Sequence, residues 1–250
     1  MNFAQWFYNL KPVIYYVICL IVSGCLIQGI FIAVEHKEKF ILADVLKGCA
    51  SVIFCIIGIL GYMSLFKRYT VLTDGSDFKA AKLIVCGLIF GAIGDILLNL
   101  RFVFEKNGKK IFLAGIAAFL TGHILYLVSI IPFSKSLIVS CICGVAAAAI
   151  ILVIVLSKFK VSLAFKIFGI IYVGSVVLMT SIAVGNCITS DFSCGYLVFA
   201  LGAILFTLSD VILIFNTFGD KTLFPLRILN LSLYYLGQIL IAFSLFLLWY

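Results

Sequence analysis

Apolar residues run along this chain in eight blocks, separated by short polar connections. The blocks cover approximately 13–34, 41–66, 83–101, 111–131, 136–157, 163–185, 195–216 and 228–250. At ~1.5 Å per residue, blocks of about 20 residues match the ~30 Å of hydrocarbon in a bilayer. Long polar/apolar alternation, the mark of an outer-membrane barrel, is missing, so helices are the remaining way to satisfy backbone amides in lipid. The expected fold is an all-α membrane protein, a single polytopic domain over 1–250 built as a bundle of about eight transmembrane helices. Connections such as Glu35-His36-Lys37-Glu38-Lys39 and Arg101 to Lys110 leave no room for a soluble domain. Pro132 and Pro225 fall at block ends, where a helix can stop without losing internal bonds. Trp6, Trp249 and Tyr250 lie where interfacial aromatics belong. Val22-Ser23-Gly24-Cys25 is similar to a lipoprotein processing site, but the block runs on to Val34, so a retained first helix is expected.

Composition agrees: 65% of the 250 residues are hydrophobic and 11% charged, against about 45–50% and 25% in soluble domains. The net charge of +8 does not point to nucleic acid, because the basic residues are scattered through the connections. The odd connections (first to second block, third to fourth, and so on) hold Lys37, Lys39, Arg101, Lys106, Lys109, Lys110, Lys158, Lys160, Lys166, Lys221 and Arg227. The opposite side holds Lys11, Lys67, Arg68, Lys79, Lys82 and Lys135. The bias places the odd connections in the cytoplasm and both termini outside, in the cell membrane of a bacterium or the endoplasmic reticulum of a eukaryote. Most of the nine cysteines sit singly in apolar blocks as small hydrophobes; Cys187 and Cys194 share a connection, either as a disulfide or as two free thiols.

A repeat is written in the polar residues. At an offset of 115, Gly87 to Asp95 falls on Gly202 to Asp210, and Gly122-His123-Ile124-Leu125 with Ser129 falls on Gly237-Gln238-Ile239-Leu240 with Ser244. The interval from Asp95 to His123 and from Asp210 to Gln238 is 28 residues in both copies. Copies four blocks apart cross the membrane in the same direction, so the expected architecture is two parallel four-helix repeats about an axis along the membrane normal.

Of ten acidic residues, seven lie in loops or tails and Asp44 at a block edge; Asp95 and Asp210 lie about six residues inside their blocks, roughly 9 Å below the surface at ~1.5 Å per residue. A lipid-facing Asp at that depth costs several kcal/mol, so both should face the bundle and need partners. Lys47, His123, Tyr234, Tyr235 and Gln238 fall in the same half of the membrane, with Ser209 beside Asp210 and Asn99 and Asn216 at the mouth. Singly, each has a plain reading: His123 as an interhelical hydrogen-bond donor, the tyrosines as packing, Lys47 as a snorkelling cation. Two buried acids with a His and a Lys are harder to explain as packing, and the expected site is one cavity opening toward the odd connections. Ser209 lacks a Gly-x-Ser-x-Gly elbow. One His and two Asp fall short of a well-formed zinc site, so neither metal nor cofactor is expected.

Lys47, Gly94-Asp95, His123-x-x-Tyr126, Ser209-Asp210 and Tyr234-Tyr235-x-x-Gln238 occur in that order, from about residue 40 to the C-terminus. In order and spacing this set resembles the lysoplasmalogenase family of polytopic membrane hydrolases. The family often has Lys-Pro where this chain has Lys47-Gly48. The resemblance implies hydrolysis of the vinyl-ether bond of lysoplasmalogens, giving a fatty aldehyde and glycerophosphoethanolamine or glycerophosphocholine. Vinyl ethers yield to acid: a proton on the β-carbon makes an oxocarbenium ion that water captures. One carboxyl held protonated and one ionised would divide the work. The expected assignment makes Asp95, near His123, the ionised member and Asp210, flanked by Ser209 and Gln238, the proton donor; Lys47 at the mouth would take the substrate phosphate. The expected partners are a lysophospholipid entering from one leaflet, and water. The alternative is a small proton-coupled transporter using the Asp95/Asp210 pair; a receptor or structural role would leave the buried acids without a purpose.

Overall fold

The computed structural model describes residues 3–68, 75–159, 163–219 and 221–247, with the side chains of 3–12, 66–68 and 164–165 left aside. Trp249 and Tyr250, and the side chain of Trp6, lie outside what is described. Among the described residues the apolar blocks form eight helices long and apolar enough to cross a membrane. They are α1 Phe3–His36, α2 Phe40–Arg68, α3 Ser76–Val103, α4 Gly108–Ile130, α5 Leu137–Lys158, α6 Leu163–Thr189, α7 Cys194–Phe218 and α8 Phe224–Ser244.

Several helices outrun their apolar blocks because hydropathy marks hydrocarbon depth, whereas a helix continues into the headgroup region. Thus α3 starts at Ser76, with Asp77 in the first turn and Arg101 in the last, where each opposes the helix dipole. Pro225 sits in the first turn of α8, where its missing amide costs no bond, so α8 begins four residues before its block. The longer α3 and α7 carry eight residues beyond Asp95 and Asp210; both acids therefore lie about 12 Å from their helix ends, deeper than the blocks predict.

The helices pack as the repeat requires. Within each half α3 lies on α4 and α7 on α8; across the halves α2 lies on α8 and α6 on α4, the same pair exchanged. The repeated glycines occupy equivalent crossings: a Cβ on Gly122 would sit 3.0 Å from the Gly87 carbonyl oxygen, and one on Gly237 would sit 2.9 Å from that of Gly202. Small residues let the two backbones approach, the usual basis of helix association in lipid. Even the serines match: Ser129 Oγ donates to Tyr126 O and Ser244 Oγ to Ile241 O. The nine cysteines are free thiols, Cys187 buried and Cys194 exposed.

Gly237 tests the crossing, since an added side chain meets the backbone of both Gly202 and Phe206. Gly237→Val is expected to cost about 1–3 kcal/mol and lower the thermal midpoint in detergent by several degrees. Gly29→Ala, with open space around it, should leave the midpoint unchanged or slightly raised.

Candidate active site

Helical periodicity aims the polar residues inward. On α2, Lys47 and Ser51 are one turn apart, and Ser51 Oγ lies 2.9 Å from the Lys47 carbonyl oxygen. On α3, Asp95 and Asn99 share a face, and the bare Gly91 and Gly94 give room to Gln238 and to the Phe119 ring. On α8, Arg227, Asn230, Tyr234 and Gln238 form one polar stripe across more than three turns.

Asp95 is fully compensated. Lys47 Nζ lies 3.3 Å from Asp95 Oδ1, with the two side chains 3% and 4% exposed. Ser51 Oγ and Tyr234 OH donate to Oδ2 at 2.5 and 2.8 Å. Lys47 also lies over the Tyr234 ring, 4.4 Å from its centroid. Behind Tyr234, Gln238 Nε2 donates to the phenol oxygen at 3.4 Å and Gln238 Oε1 accepts from Tyr126 OH at 2.9 Å. One cation and two hydroxyl donors thus converge on this carboxylate, the arrangement that makes a buried charge tolerable.

Asp210 is held differently. Tyr172 OH of α6 donates to its Oδ2 at 2.8 Å, and His123 Nε2 stands 3.5 Å from the same phenol oxygen. With the phenol proton given to Asp210, the tautomer protonated at Nε2 completes the chain His123–Tyr172–Asp210. Phe206 packs edge-on against the imidazole, 4.4 Å between centroids. Among the described residues no cation pairs with Asp210; the two ion pairs are Lys47–Asp95 and Arg227–Glu35.

Four expectations change here. His123 belongs with Asp210, not Asp95, because Tyr172 stands between them. Gln238 serves the Asp95 side through Tyr234, and Ser209 turns from Asp210 to clamp α8: its Oγ donates to Asn230 O at 3.0 Å, while Asn230 Nδ2 donates back to Ser209 O at 2.9 Å. Lys47 neither snorkels nor waits at the mouth, since it is buried on Asp95. Asn216 accepts the Leu223 amide at 2.7 Å and organises the turn into α8. Tyr235 OH donates to Ala50 O at 3.1 Å and ties α8 to α2.

Lys47, Asp95, Asn99, Ser209, Asp210 and Tyr234 line one cavity of about 120 Å³, walled by apolar side chains. His123, Tyr126, Tyr235 and Gln238 sit behind that lining. Tyr172 and Asn230 line it too, and neither stands out in the sequence. Tyr172 lies in a block that offers no other polar cue at that depth; Ser51, four residues from Lys47, and Asn230, four from Tyr234, are legible once helical spacing is applied to residues already chosen. The lining comes from the helix halves nearest the odd connections, where Arg101 and Arg227 form a neck. Among the described residues no group of three His, Cys, Asp or Glu converges as a metal site.

The charge pair is testable without substrate. Lys47→Met strands Asp95 and is expected to cost about 3–5 kcal/mol of stability. Adding Asp95→Asn should recover most of that loss, seen as strong coupling in a double-mutant cycle of thermal unfolding; additive losses would mean the pair is not coupled.

The family model of the YhhN family matches residues 54–245, which includes both acids, His123, Tyr172 and the polar stripe of α8. Lys47 and Ser51, which hold Asp95, precede the matched segment. No curated protein and no solved structure matches the chain. With most of its length matched, the chain belongs to the YhhN family, the family of lysoplasmalogenases.

Proposed function

We propose that this protein hydrolyses the vinyl-ether bond of lysoplasmalogens within the membrane by carboxyl acid/base catalysis. The observation that carries the reading is the unequal setting of two acids on one apolar cavity: among the described residues Asp95 has a cation and two hydroxyl donors, Asp210 a single neutral donor. Family membership supports the same chemistry. The reading keeps Asp95 as the ionised member and Asp210 as the proton donor, on these partners rather than on His123.

In the proposed cycle Asp210 gives its proton to the β-carbon of the vinyl ether, leaving an oxocarbenium ion at C1. Asp95 faces the developing cation and takes a proton as water adds to C1. The hemiacetal then collapses: its hydroxyl proton returns to Asp210, the C1–O bond breaks, and Asp95 protonates the leaving glycerol oxygen. The fatty aldehyde and the glycerophospho-base leave, and both acids are restored. Tyr172 holds the Asp210 carboxyl in place and His123 holds Tyr172. A single alkenyl chain suits the lining, which includes Ile116 of α4 and Gly169 of α6, where a Cβ would meet nothing within 4 Å. The transporter reading gains no support, because the lining stays within one half of the helix bundle.

Purified protein incubated in detergent with a lysoplasmalogen should release aldehyde. Asp210→Asn, and Asp95→Asn combined with Lys47→Met so that no buried ammonium is stranded, should each lower release by about 10²–10⁴-fold or more while the protein still folds. Full activity in either variant would overturn the mechanism. Tyr172→Phe removes one donor to Asp210 and is expected to lower kcat by about tenfold with little change in KM.

A further inference from the structure

Outside the acid cavity lies a second space, a vestibule of about 460 Å³ at the ends of α1 and α3 and the start of α8. Arg101 and Arg227 line both spaces and, with Leu213 and Thr217, form the partition between them. Their states differ. Arg227 is spent on Glu35, with Nε donating to Oε2 at 3.0 Å and a second donor, NH2, reaching Oε1 at 2.5 Å. Arg101 has no acidic partner among the described residues, and its buried Nε makes no hydrogen bond. The guanidinium is nonetheless held in place between two rings, 4.6 Å from the Phe102 centroid and 4.4 Å from that of Phe112. With Lys47 cancelled by Asp95 and Arg227 by Glu35, Arg101 is the cation at this neck still lacking an anion.

The outer wall is aromatic. Phe40 stacks on Phe102 at 5.3 Å and His36 on Phe224 at 3.8 Å, with Glu35 beside them. Stacked rings form a surface that favours an alkylammonium group. Moving from the inner cavity outward, the walls present an apolar slot, a guanidinium seeking an anion, and rings suited to a cation. That sequence matches tail, phosphate and amine of a zwitterionic lysophospholipid.

We propose that this vestibule is the headgroup site: Arg101 takes the phosphate, and the Phe40 and Phe224 rings of the outer wall take the ammonium. The proposal rests on the lysophospholipid reading above and replaces Lys47 by Arg101 as the phosphate ligand. Arg101 is a binding residue, placed at helix-end depth, where the lipid phosphate also lies.

The test uses ligands that cannot be cleaved, so it is separate from the reaction. The purified full chain in detergent is titrated by calorimetry with a saturated 1-O-alkyl lysophosphocholine, the matching 1-O-alkyl lysophosphatidate and 1-O-alkylglycerol. The wild-type chain should bind the phosphocholine lipid about tenfold or more tightly than the alkylglycerol. Arg101→Gln should lose most of that difference and leave alkylglycerol binding unchanged, with Arg101→Lys in between. Phe40→Ala should weaken the phosphocholine lipid and spare the lysophosphatidate. Equal wild-type affinity for phosphocholine lipid and alkylglycerol would overturn the proposal, and so would an equal loss on both in Arg101→Gln. Inorganic phosphate or glycerophosphocholine binding as tightly as the lipid would assign the vestibule to a soluble anion and overturn it too. A chain that binds as expected but releases no aldehyde overturns the reaction and leaves the headgroup site standing.

Discussion

The ion pair between Lys47 and Asp95 is the interaction on which the rest of this molecule turns. A bare carboxylate about 12 Å inside the bundle would be prohibitive in hydrocarbon, and so would a bare ammonium. Each makes the other possible, and two hydroxyls complete the shell around Asp95. The pair joins α2 to α3, and Tyr234 brings in α8. One electrostatic requirement thereby fixes three helices around an apolar chamber. The same requirement takes Lys47 out of contention for substrate, so under the proposed function phosphate recognition would fall to cations nearer the surface.

The backbone frame is nearly symmetric and the chemistry is not. The glycine crossings Gly87/Gly122 and Gly202/Gly237 repeat, as do the two acids and the two helix exchanges. The partners break the pattern. At the 115-residue offset Lys47 corresponds to Ser162, and Tyr172 to Ile57. Phe119 corresponds to Tyr234, so one copy supplies a ring and the other a ring with a donor. A doubled four-helix unit thus places two acids at equal depth, and substitutions around them give the acids unlike partners, which under the proposed function would divide an acid role from a base role. Two carboxyls in unlike surroundings are what acid-catalysed cleavage of an enol ether needs.

Sidedness follows from the same geometry. The acids, the neck of Arg101 and Arg227, and the aromatic vestibule all lie toward the odd connections, so under the proposed function tail, scissile bond and headgroup would follow a linear order along one half of the bundle. A single-chain lipid lying in that leaflet would reach such a site by lateral movement, with its headgroup remaining near the interface.

The sequence by itself determined the solvent, the number of crossings, the repeat and the two acids. Each of these is local or periodic: block length sets a span, a constant offset exposes a repeat, and an Asp in hydrocarbon has few innocent explanations. Helix ends were less legible, because residues such as Asp77 and Arg101 leave an apolar block without leaving the helix. Only the tertiary structure decided who partners whom. Asp95 and His123 are 28 residues apart and Asp210 and Gln238 equally so, yet the bundle gives His123 to Asp210 through Tyr172 and Gln238 to Asp95 through Tyr234. That exchange arises because α6 packs on α4 and α8 reaches α3 across the halves. Sequence spacing sets which face of a helix a residue occupies, and packing between helices sets what that face meets.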